Sequence, residues 1–244
     1  MQTGGDRALI ACLNAGDARQ LAVTLSRAGY NVAGIAHHVR EVLPGLRECQ
    51  PTLLLAQAVL PGGDGVALAE AVMRAPLSLH PHVLLTAPPG LKLPGSRGLD
   101  GLGAALIPEP ATPEAIAEAV AGLRSRAHVL PADRAARLRA LMDRLGVPAH
   151  PGREMLECAS ALVWRDRSRL DNLRDRVYPD AARPFGKTGP QAERAIRHVI
   201  EAAWRTGEID EQQRIFGDTI DARRGRPTCG EMIAQLADIL RWEG

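Results

Sequence analysis

A change of pattern along the chain restricts the fold more than any other feature. From residue 8 to residue 126 short aliphatic runs alternate with longer amphipathic ones, whereas from Ala132 onward only amphipathic helical patterns remain. The first pattern is typical of repeated strand–helix units, because strands buried on both faces of a parallel sheet are nearly all aliphatic. The sequence therefore predicts an α/β doubly wound domain over residues 1–126, a linker over 127–131, and an all-α domain over 132–244.

The aliphatic runs predict five parallel strands, and the amphipathic runs predict the helices. The strands are expected at residues 8–13, 31–36, 52–56, 82–86 and 104–107. Helices are expected at residues 18–27, 65–74, 113–124, 134–145, 153–165, 169–177, 190–206, 211–216 and 231–242. Residues 37–49, which include Pro44 and Gly45, and residues 90–103, which include Pro94, should be short, kinked or partly irregular.

Composition excludes several classes of protein. The 244 residues are 45% hydrophobic and 24% charged, as in an ordinary globular protein, and no apolar run or leader-like segment predicts a membrane span or secretion. We therefore expect a cytoplasmic protein with no membrane contact. Four cysteines without a CxxC pair read as reduced thiols, with neither a disulfide framework nor a zinc site.

Net charge does not predict nucleic-acid binding. The total of +2 divides into ten basic and ten acidic residues before residue 127 and twenty basic and eighteen acidic residues after it. A few cations on one face can still form a recognition surface. An aromatic content of 3% argues against a binder that stacks many bases of a single strand.

The first domain carries the turn Leu60-Pro61-Gly62-Gly63-Asp64-Gly65 after its third strand, Thr86 at the end of the fourth, and Pro110 after the fifth. Over about residues 7–126 it resembles the receiver domain of two-component response regulators. That resemblance implies an acidic pair after the first strand, a phosphorylated Asp after the third, a Thr or Ser, and a Lys. The corresponding residues are Gly16 and Asp17, Gln57, Thr86 and Glu109.

These substitutions remove the chemistry of a receiver. The amide of Gln57 cannot attack a phosphodonor, a single remaining carboxylate is a poor magnesium site, and Glu109 would repel a phosphoryl group where a cation would pair with it. We therefore expect a pseudo-receiver with no metal and no switching by aspartyl phosphorylation.

The surviving polar residues also have purely structural interpretations. Asp17 could cap the helix expected at Ala18, and Thr86 could be only the polar end of a buried strand. His37 and His38 are adjacent, so on a helix they do not share the face that a metal pair requires, and they are expected at the surface.

The second domain has its most informative segment at residues 193–204, with the letters ERAIRHVIEAAW. It is preceded by Val177-Tyr178-Pro179-Asp180 and followed by residues 216–220 and by Pro227-Thr228. From about residue 138 to residue 241 the chain resembles the C-terminal effector domain of the stage-zero sporulation protein A family, which binds DNA. The order of receiver and effector is also that of this family.

The residues of this segment are compatible with a recognition helix. Thr188 and Gln191 have capping-box spacing, and Ala192, Ala195, Ile196, Val199 and Ala203 would face the core. Residues 169–177 would form the first arm of a helix-turn-helix motif, followed by a long turn through Pro179, Pro184 and Gly186. The DNA-binding residues are expected to be Lys187, Thr188, Gln191, Glu193, Arg194, Arg197, His198, Arg223, Arg224 and Arg226.

Different roles are expected within that set. Arg194 and Arg197 could contact guanine and Glu193 a cytosine amino group, while Lys187 and Thr188 would contact phosphates. The resemblance implies phosphate contacts for the basic loop of Arg223, Arg224 and Arg226, which from charge alone could be a solvated turn. Likewise, Glu193 with Arg197 and Arg197 with Glu201 could be i, i+4 pairs on a solvated face. Pro190 and Gln191 depart from the residues usual in the family, so target preference could differ.

These features predict a transcription regulator of the sporulation-initiation type that binds double-stranded DNA, with a homodimer on tandem or inverted sites as one arrangement. No catalytic residue and no cofactor is expected, because hydrolase, Walker A and dinucleotide-binding motifs are missing. The alternative is an interaction module, a decoy that binds a protein partner through the pseudo-receiver and binds DNA weakly. In the family the receiver mediates dimerisation, but residues 90–103 make the usual pairing region irregular.

Overall fold

The computed structural model describes residues 6–91, 93, 99–217 and 225–242, and the chain divides into two compact units, Met1–Ala127 and His128–Gly244. Each unit has its own apolar core. They are described separately below.

The first unit is built on the five-stranded parallel sheet that the sequence predicts. Its strands are β1 (Arg7–Ala11), β2 (Asn31–Ala36), β3 (Leu53–Gln57), β6 (His82–Ala87) and β7 (Ala104–Pro108). A two-stranded hairpin of β4 (Val59–Leu60) and β5 (Gly63–Asp64) follows β3. The sheet order is β2-β1-β3-β6-β7, one of the two common orders of doubly wound folds. All five carboxyl ends therefore lie along the same edge.

Helices cover both faces of this sheet. They are α1 (Ala15–Arg27), α2 (Val39–Cys49), α3 (Gly65–Arg74), α4 (Leu99–Leu102) and α5 (Pro113–Ser125). Leu25 of α1 and Ile116 of α5 pack with Ile10, Leu55 and Leu84 of the strands in one apolar cluster. Leu9 and Leu85 face the other side, where Gly34, Gly45 and Gly65 give them room. The α/β doubly wound architecture is confirmed.

The expectation of an irregular segment at residues 37–49 was wrong, because α2 is a continuous helix with Pro44 inside it. Pro44 removes one backbone donor, but it lies on the exposed side, so solvent can hydrate the carbonyl left without a partner. Val42 and Leu46 are buried on the opposite side, and His38 caps the helix by accepting from the Arg40 amide. Burial of one apolar face outweighs the local effect of proline.

The segment of residues 90–103 is irregular in its described part, as expected. Its only described helix is the four-residue α4. Pro94 and Lys92 lie outside the described residues.

The second unit is all-helical in its described part. It contains α6 (Ala132–Arg144), α7 (Pro151–Arg165), α8 (Tyr178–Ala182), α9 (Gly189–Thr206), α10 (Ile209–Phe216) and α11 (Cys229–Trp242). Arginine side chains tie helix ends together in the core: Arg134 donates to the Leu240 carbonyl and Arg241 to the Val163 and Trp164 carbonyls. Among the described residues, none of the helices is long and apolar enough to span a membrane.

The expected α-helix at residues 169–177 was wrong. A 3₁₀ segment (Arg167–Asn172) and a π-helical turn (Leu173–Val177) precede α8. Asp166 accepts from the Ser168 amide and Asn172 from the Asp175 amide, so two side chains compete for backbone groups that a continuous α-helix would use. The expected turn is also mostly helical, because Pro179 lies within α8 and Pro184 within a short 3₁₀ segment (Arg183–Phe185).

Candidate functional site

The carboxyl edge of the sheet brings together Asp17, Gln57, Thr86 and Glu109, the residues that the sequence analysis compared with the receiver site. Gln57 and Thr86 are partners in the register of β3 and β6. The Gln57 Nε2 atom donates to Asp17 Oδ2 at 3.0 Å, and the Thr86 hydroxyl donates to Glu109 Oε1 at 2.8 Å. The four side chains therefore form two internal hydrogen-bonded pairs.

Gln57 is held at both ends of its amide. Its Oε1 accepts from the Leu13 backbone amide at 2.6 Å, while its Nε2 binds Asp17. An amide has no carboxylate oxygen that could form an acyl phosphate. The position after β3 is thus fixed by a group that cannot perform the chemistry of a receiver.

Asp17 does not cap α1, so that structural interpretation was wrong. The cap is Asn14, whose Oδ1 accepts from the Gly16 and Asp17 amides at 2.9 and 3.0 Å. Asp17 lies in the first turn, and its Oδ2 also accepts from Asn14 Nδ2 at 3.2 Å. Cys12, Leu13 and Asn14 directly follow β1, so no acidic residue stands there.

A cleft of about 270 Å³ opens above these residues and is lined by Asp17, Gln57, Glu109, Pro88 and Pro110 among others. In the described part of the chain the lining contains two carboxylates and no cation. A phosphoryl group would meet negative charge here without compensation. The described residues also contain no cluster of three or more potential metal ligands.

The histidines His37 and His38 have structural partners in the same unit. His37 Nδ1 lies 2.9 Å from the Cys12 carbonyl, and His38 caps α2. Burial, with the Asp17 charge as a smaller cause, raises the pKa of the Cys12 thiol, which keeps it protonated at neutral pH.

In the second unit, α9 begins as the sequence predicts. The Thr188 amide donates to Gln191 Oε1 at 2.9 Å, and Pro190 occupies the first turn, where a missing donor costs nothing. Gly189 lies against Pro179, so an added Cβ would approach the proline ring to 3.1 Å. The helix ends at Gly207, where a Cβ would meet the Leu145 carbonyl at 2.5 Å.

One face of α9 is buried and the opposite face is charged. Ala192, Ile196, Val199, Ile200 and Ala203 are buried. Arg194, Arg197 and His198 are exposed, and Arg197 forms an ion pair with Glu193 one turn earlier. Arg194 makes no hydrogen bond or ion pair with any described residue, and the same holds for the Lys187 side chain. Among the described residues, Arg194 is thus a cation without a partner in the first half of α9.

A second group of charges lies between α9 and the start of α11. Arg226 donates to Glu201 Oε1 at 2.7 Å. The Thr228 amide donates to Glu231 Oε2 at 2.6 Å, and the Glu231 amide donates to Thr228 Oγ1, which is the expected capping box of α11. Arg223 and Arg224 lie outside the described residues.

A pocket of about 450 Å³ lies between α9 and the start of α11. Tyr178, Arg197, Arg226 and Cys229 are among the residues that line it. Burial is the main cause that raises the pKa of Tyr178 and of Cys229, so both are neutral at pH 7. Among the residues that line the pocket, the formal charges are therefore those of Glu193, Arg197 and Arg226.

The sequence analysis did not identify three exposed cations. Arg205 follows Arg194 by 11 residues, which returns to nearly the same face of a helix, so spacing could have identified it. Arg174 and Arg176 are exposed on Leu173–Val177, which packs against α9. The sequence analysis expected an α-helix there and did not anticipate the π-helical turn that carries them.

Comparisons with known proteins found similar solved structures and one matching family model. Three solved structures illustrate the similarity found. The receiver domain of a signal transduction histidine kinase from Syntrophus aciditrophicus is 27% identical, with 49% of this chain and 90% of that chain covered and a TM-score of 0.40. A protein assigned as a response regulator from Chloroflexus aurantiacus J-10-fl is 26% identical, with 50% and 98% covered and a TM-score of 0.42. A response regulator receiver domain protein from Clostridium thermocellum is 18% identical, with 50% and 95% covered and a TM-score of 0.42.

The family model described as "Sporulation initiation factor Spo0A C terminal" matches residues 138–240. The match runs from the middle of α6 to the last turn of α11 and includes α9 with its charged face. This match supports a DNA-binding domain in the second unit. Over residues 138–240 the chain is similar to the sporulation initiation factor Spo0A C-terminal family.

Proposed function

We propose that this chain is a cytoplasmic, sequence-specific DNA-binding transcription regulator of the sporulation-initiation type that acts without control by aspartyl phosphorylation. The observation that carries the DNA-binding part is the outward face of α9, where Arg194 is exposed and forms no hydrogen bond or ion pair with any described residue. No reaction belongs to this proposal, and its partner is double-stranded DNA.

In this proposal α9 enters the major groove, and its first half reads bases. Arg194 and Arg197 contact guanine, and Glu193 accepts from a cytosine amino group. Arg197 must then exchange its ion pair with Glu193 for a base edge. Exposed ion pairs contribute little stability, so this exchange has a small cost.

Contacts to the DNA backbone would fix the register of α9. Lys187 and Thr188 lie at its amino end, where free backbone amides also attract phosphates. We propose Gln191 and His198 as further DNA contacts and Arg223, Arg224 and Arg226 as phosphate contacts. Arg174, Arg176 and Arg205 are exposed, and we propose them as further phosphate contacts.

Independence from phosphorylation follows from the internal pairs at the carboxyl edge of the sheet. Gln57 cannot accept a phosphoryl group, and Thr86, which would respond to one, already donates to Glu109. The proposal therefore requires that a phosphodonor leave DNA binding unchanged.

The DNA-binding part is tested by selecting duplexes from a random pool with the full-length chain, without a phosphodonor. Fluorescence anisotropy then compares the selected duplex with a scrambled one across a salt series. We expect a preference of about a thousandfold or more at physiological salt. Equal, steeply salt-dependent binding to both duplexes would leave only the electrostatic component and would favour the interaction-module alternative.

The phosphorylation part is tested by incubating the chain with acetyl phosphate and Mg²⁺. Intact-mass spectrometry should detect no phosphoryl adduct, and the Kd for the selected duplex should not change. A stable adduct together with tighter DNA binding would overturn this part of the proposal alone.

A further inference from the structure

Charges of alternating sign follow one side of α9. Glu193, Arg197 and Glu201 are spaced at i, i+4 and i+8, which places them within an arc of about 80° on a helix. Arg197 pairs with Glu193. Glu201 pairs at 2.7 Å with Arg226, which follows it by 25 residues in the sequence. Two cations proposed to contact DNA are therefore each held by a carboxylate of α9.

Glu201 lies on the side of α9 that is opposite to its buried face. It follows Arg194 by seven residues, which returns to within about 20° of the same direction. The fully buried Ala203 follows Arg194 by nine residues and lies on the opposite side. Any duplex that meets Arg194 therefore also approaches the Glu201 carboxylate.

A carboxylate at this place opposes general affinity for DNA. Sequence-independent binding depends on cations that neutralise phosphates, and an anion on the same face reduces it. A face of alternating charge is complementary to the groove only in registers where amino groups, and not phosphates, approach the carboxylates. Like-charge contacts in all other registers would suppress wrong complexes.

We propose that Glu201 is a specificity-determining residue, an inference that rests on the proposed DNA-binding function. In the free protein its carboxylate holds Arg226. On the correct sequence Arg226 moves to a phosphate, and Glu201 faces base edges in the groove. On other sequences the carboxylate meets phosphates and weakens the complex.

The test compares Glu201→Gln with Glu208→Gln in the full-length chain. Glu208 is exposed at the start of α10 and its side chain has no partner among the described residues, so this control removes the same charge outside the charged face of α9. We expect Glu201→Gln to bind the scrambled duplex about three- to tenfold more tightly and the selected duplex less than twofold more tightly. Glu208→Gln should match the wild type on both duplexes.

Other outcomes would overturn the inference. An equal gain on both duplexes would make Glu201 a bulk charge without a role in selectivity. Weaker binding of Glu201→Gln to both duplexes, matched by Arg226→Gln, would mean that Glu201 only positions Arg226. Circular dichroism of the variants checks that α9 stays folded.

The proposed function fails in a different way. If the wild-type chain itself shows no preference between the two duplexes, sequence-specific binding is wrong whatever Glu201→Gln does. If the wild type discriminates and Glu201→Gln keeps the same ratio of the two affinities, only the role of Glu201 is wrong.

Discussion

The two units differ in what their polar side chains contact. At the carboxyl edge of the sheet, Gln57 binds Asp17 and Thr86 binds Glu109. On the outward face of α9, Arg194 forms no hydrogen bond or ion pair with any described residue, and Arg197 and Arg226 are paired with half-buried carboxylates. The first site is closed by its own residues, whereas the second leaves charge available to a partner.

The partners of the polar side chains distinguish the carboxyl edge of the sheet from the face of α9 more clearly than the residue types do. A receiver-like cleft of about 270 Å³ remains, yet its carboxylates and amide already use one another as partners. Breaking such bonds requires a ligand that replaces them, and no cation lines the described cleft to attract a phosphoryl group. On α9 the ion pairs are exposed, so water already weakens them and a phosphate or base can replace them.

The largest effect is expected on the outward face of α9, whose charges are available to a partner. Replacing Arg194 and Arg197 together by Ala should weaken binding to the selected duplex by about 2–6 kcal/mol, because each would lose a bidentate base contact. Binding to a scrambled duplex should fall much less. Anisotropy with both duplexes measures the ratio.

Arg139→Ala is the matched control for this double variant. Arg139 is as exposed as Arg197 but lies on α6, paired with Glu157. It should bind both duplexes like the wild type. Equal losses on the two duplexes for the double variant would show that these arginines contact phosphates and read no bases.

At the carboxyl edge of the sheet, Gln57→Glu keeps the shape of the side chain and replaces the amide group that donates to Asp17 by a carboxylate. We expect a loss of stability of about 1–3 kcal/mol at pH 7, since a hydrogen bond becomes a repulsion. Hydrogen exchange of the β3 amides measures it. The two facing carboxyls would raise the pKa of the pair, so the difference from wild type should shrink as acid protonates one of them.

Gln20→Glu supplies the control, because Gln20 lines the same cleft and its side chain has no described partner. It should change the exchange of β3 little. Identical exchange for Gln57→Glu and wild type would mean that the Asp17–Gln57 bond does not hold the site closed.

A smaller effect is expected at the other internal pair. Thr86→Val keeps the volume of a side chain that is 1% exposed and removes its bond to Glu109. The loss should be about 0.5–1.5 kcal/mol, measured by exchange of the β6 amides. The reference is Thr24→Val at a half-buried position of α1, where the hydroxyl donates to the Gln20 carbonyl. An equally small change in both variants would count against a closed site.

Much of the fold could be predicted because its signals are local. Residues 53–56 of β3 are all aliphatic, and the core positions of α9 recur at helical spacing. The failures have a common cause. The effect of Pro44 depends on which side of α2 faces solvent, and the break at residues 167–177 depends on side chains that bind backbone groups. Neither is determined by residue type alone.

The candidate sites divide in the same way. Residue types at Gln57 and Glu109 were enough to predict lost receiver chemistry, but their pairing with Asp17 and Thr86 depends on strand register and rotamers. Helical spacing identified the face of Arg194 and would have identified Arg205. The contact of Arg226 with Glu201 joins residues 25 apart in sequence and required the packing of α11 against α9.

The smallest effect tests whether the second unit also contains a closed charge cluster. Glu211 of α10 accepts from Arg144 and Arg214, and these bonds lower its pKa to about 2. A lowered pKa in the folded state means that Glu211 stabilises the fold above its ordinary pKa of 4.5, and that this contribution is lost as the pH falls toward 2. Thermal unfolding of the wild type should therefore lose more on acidification than that of Glu211→Gln, while Glu208→Gln behaves like the wild type. Parallel pH profiles for Glu211→Gln and the wild type would show that the cluster does not act as a unit, and that internal pairing in this unit is as weak as on the face of α9.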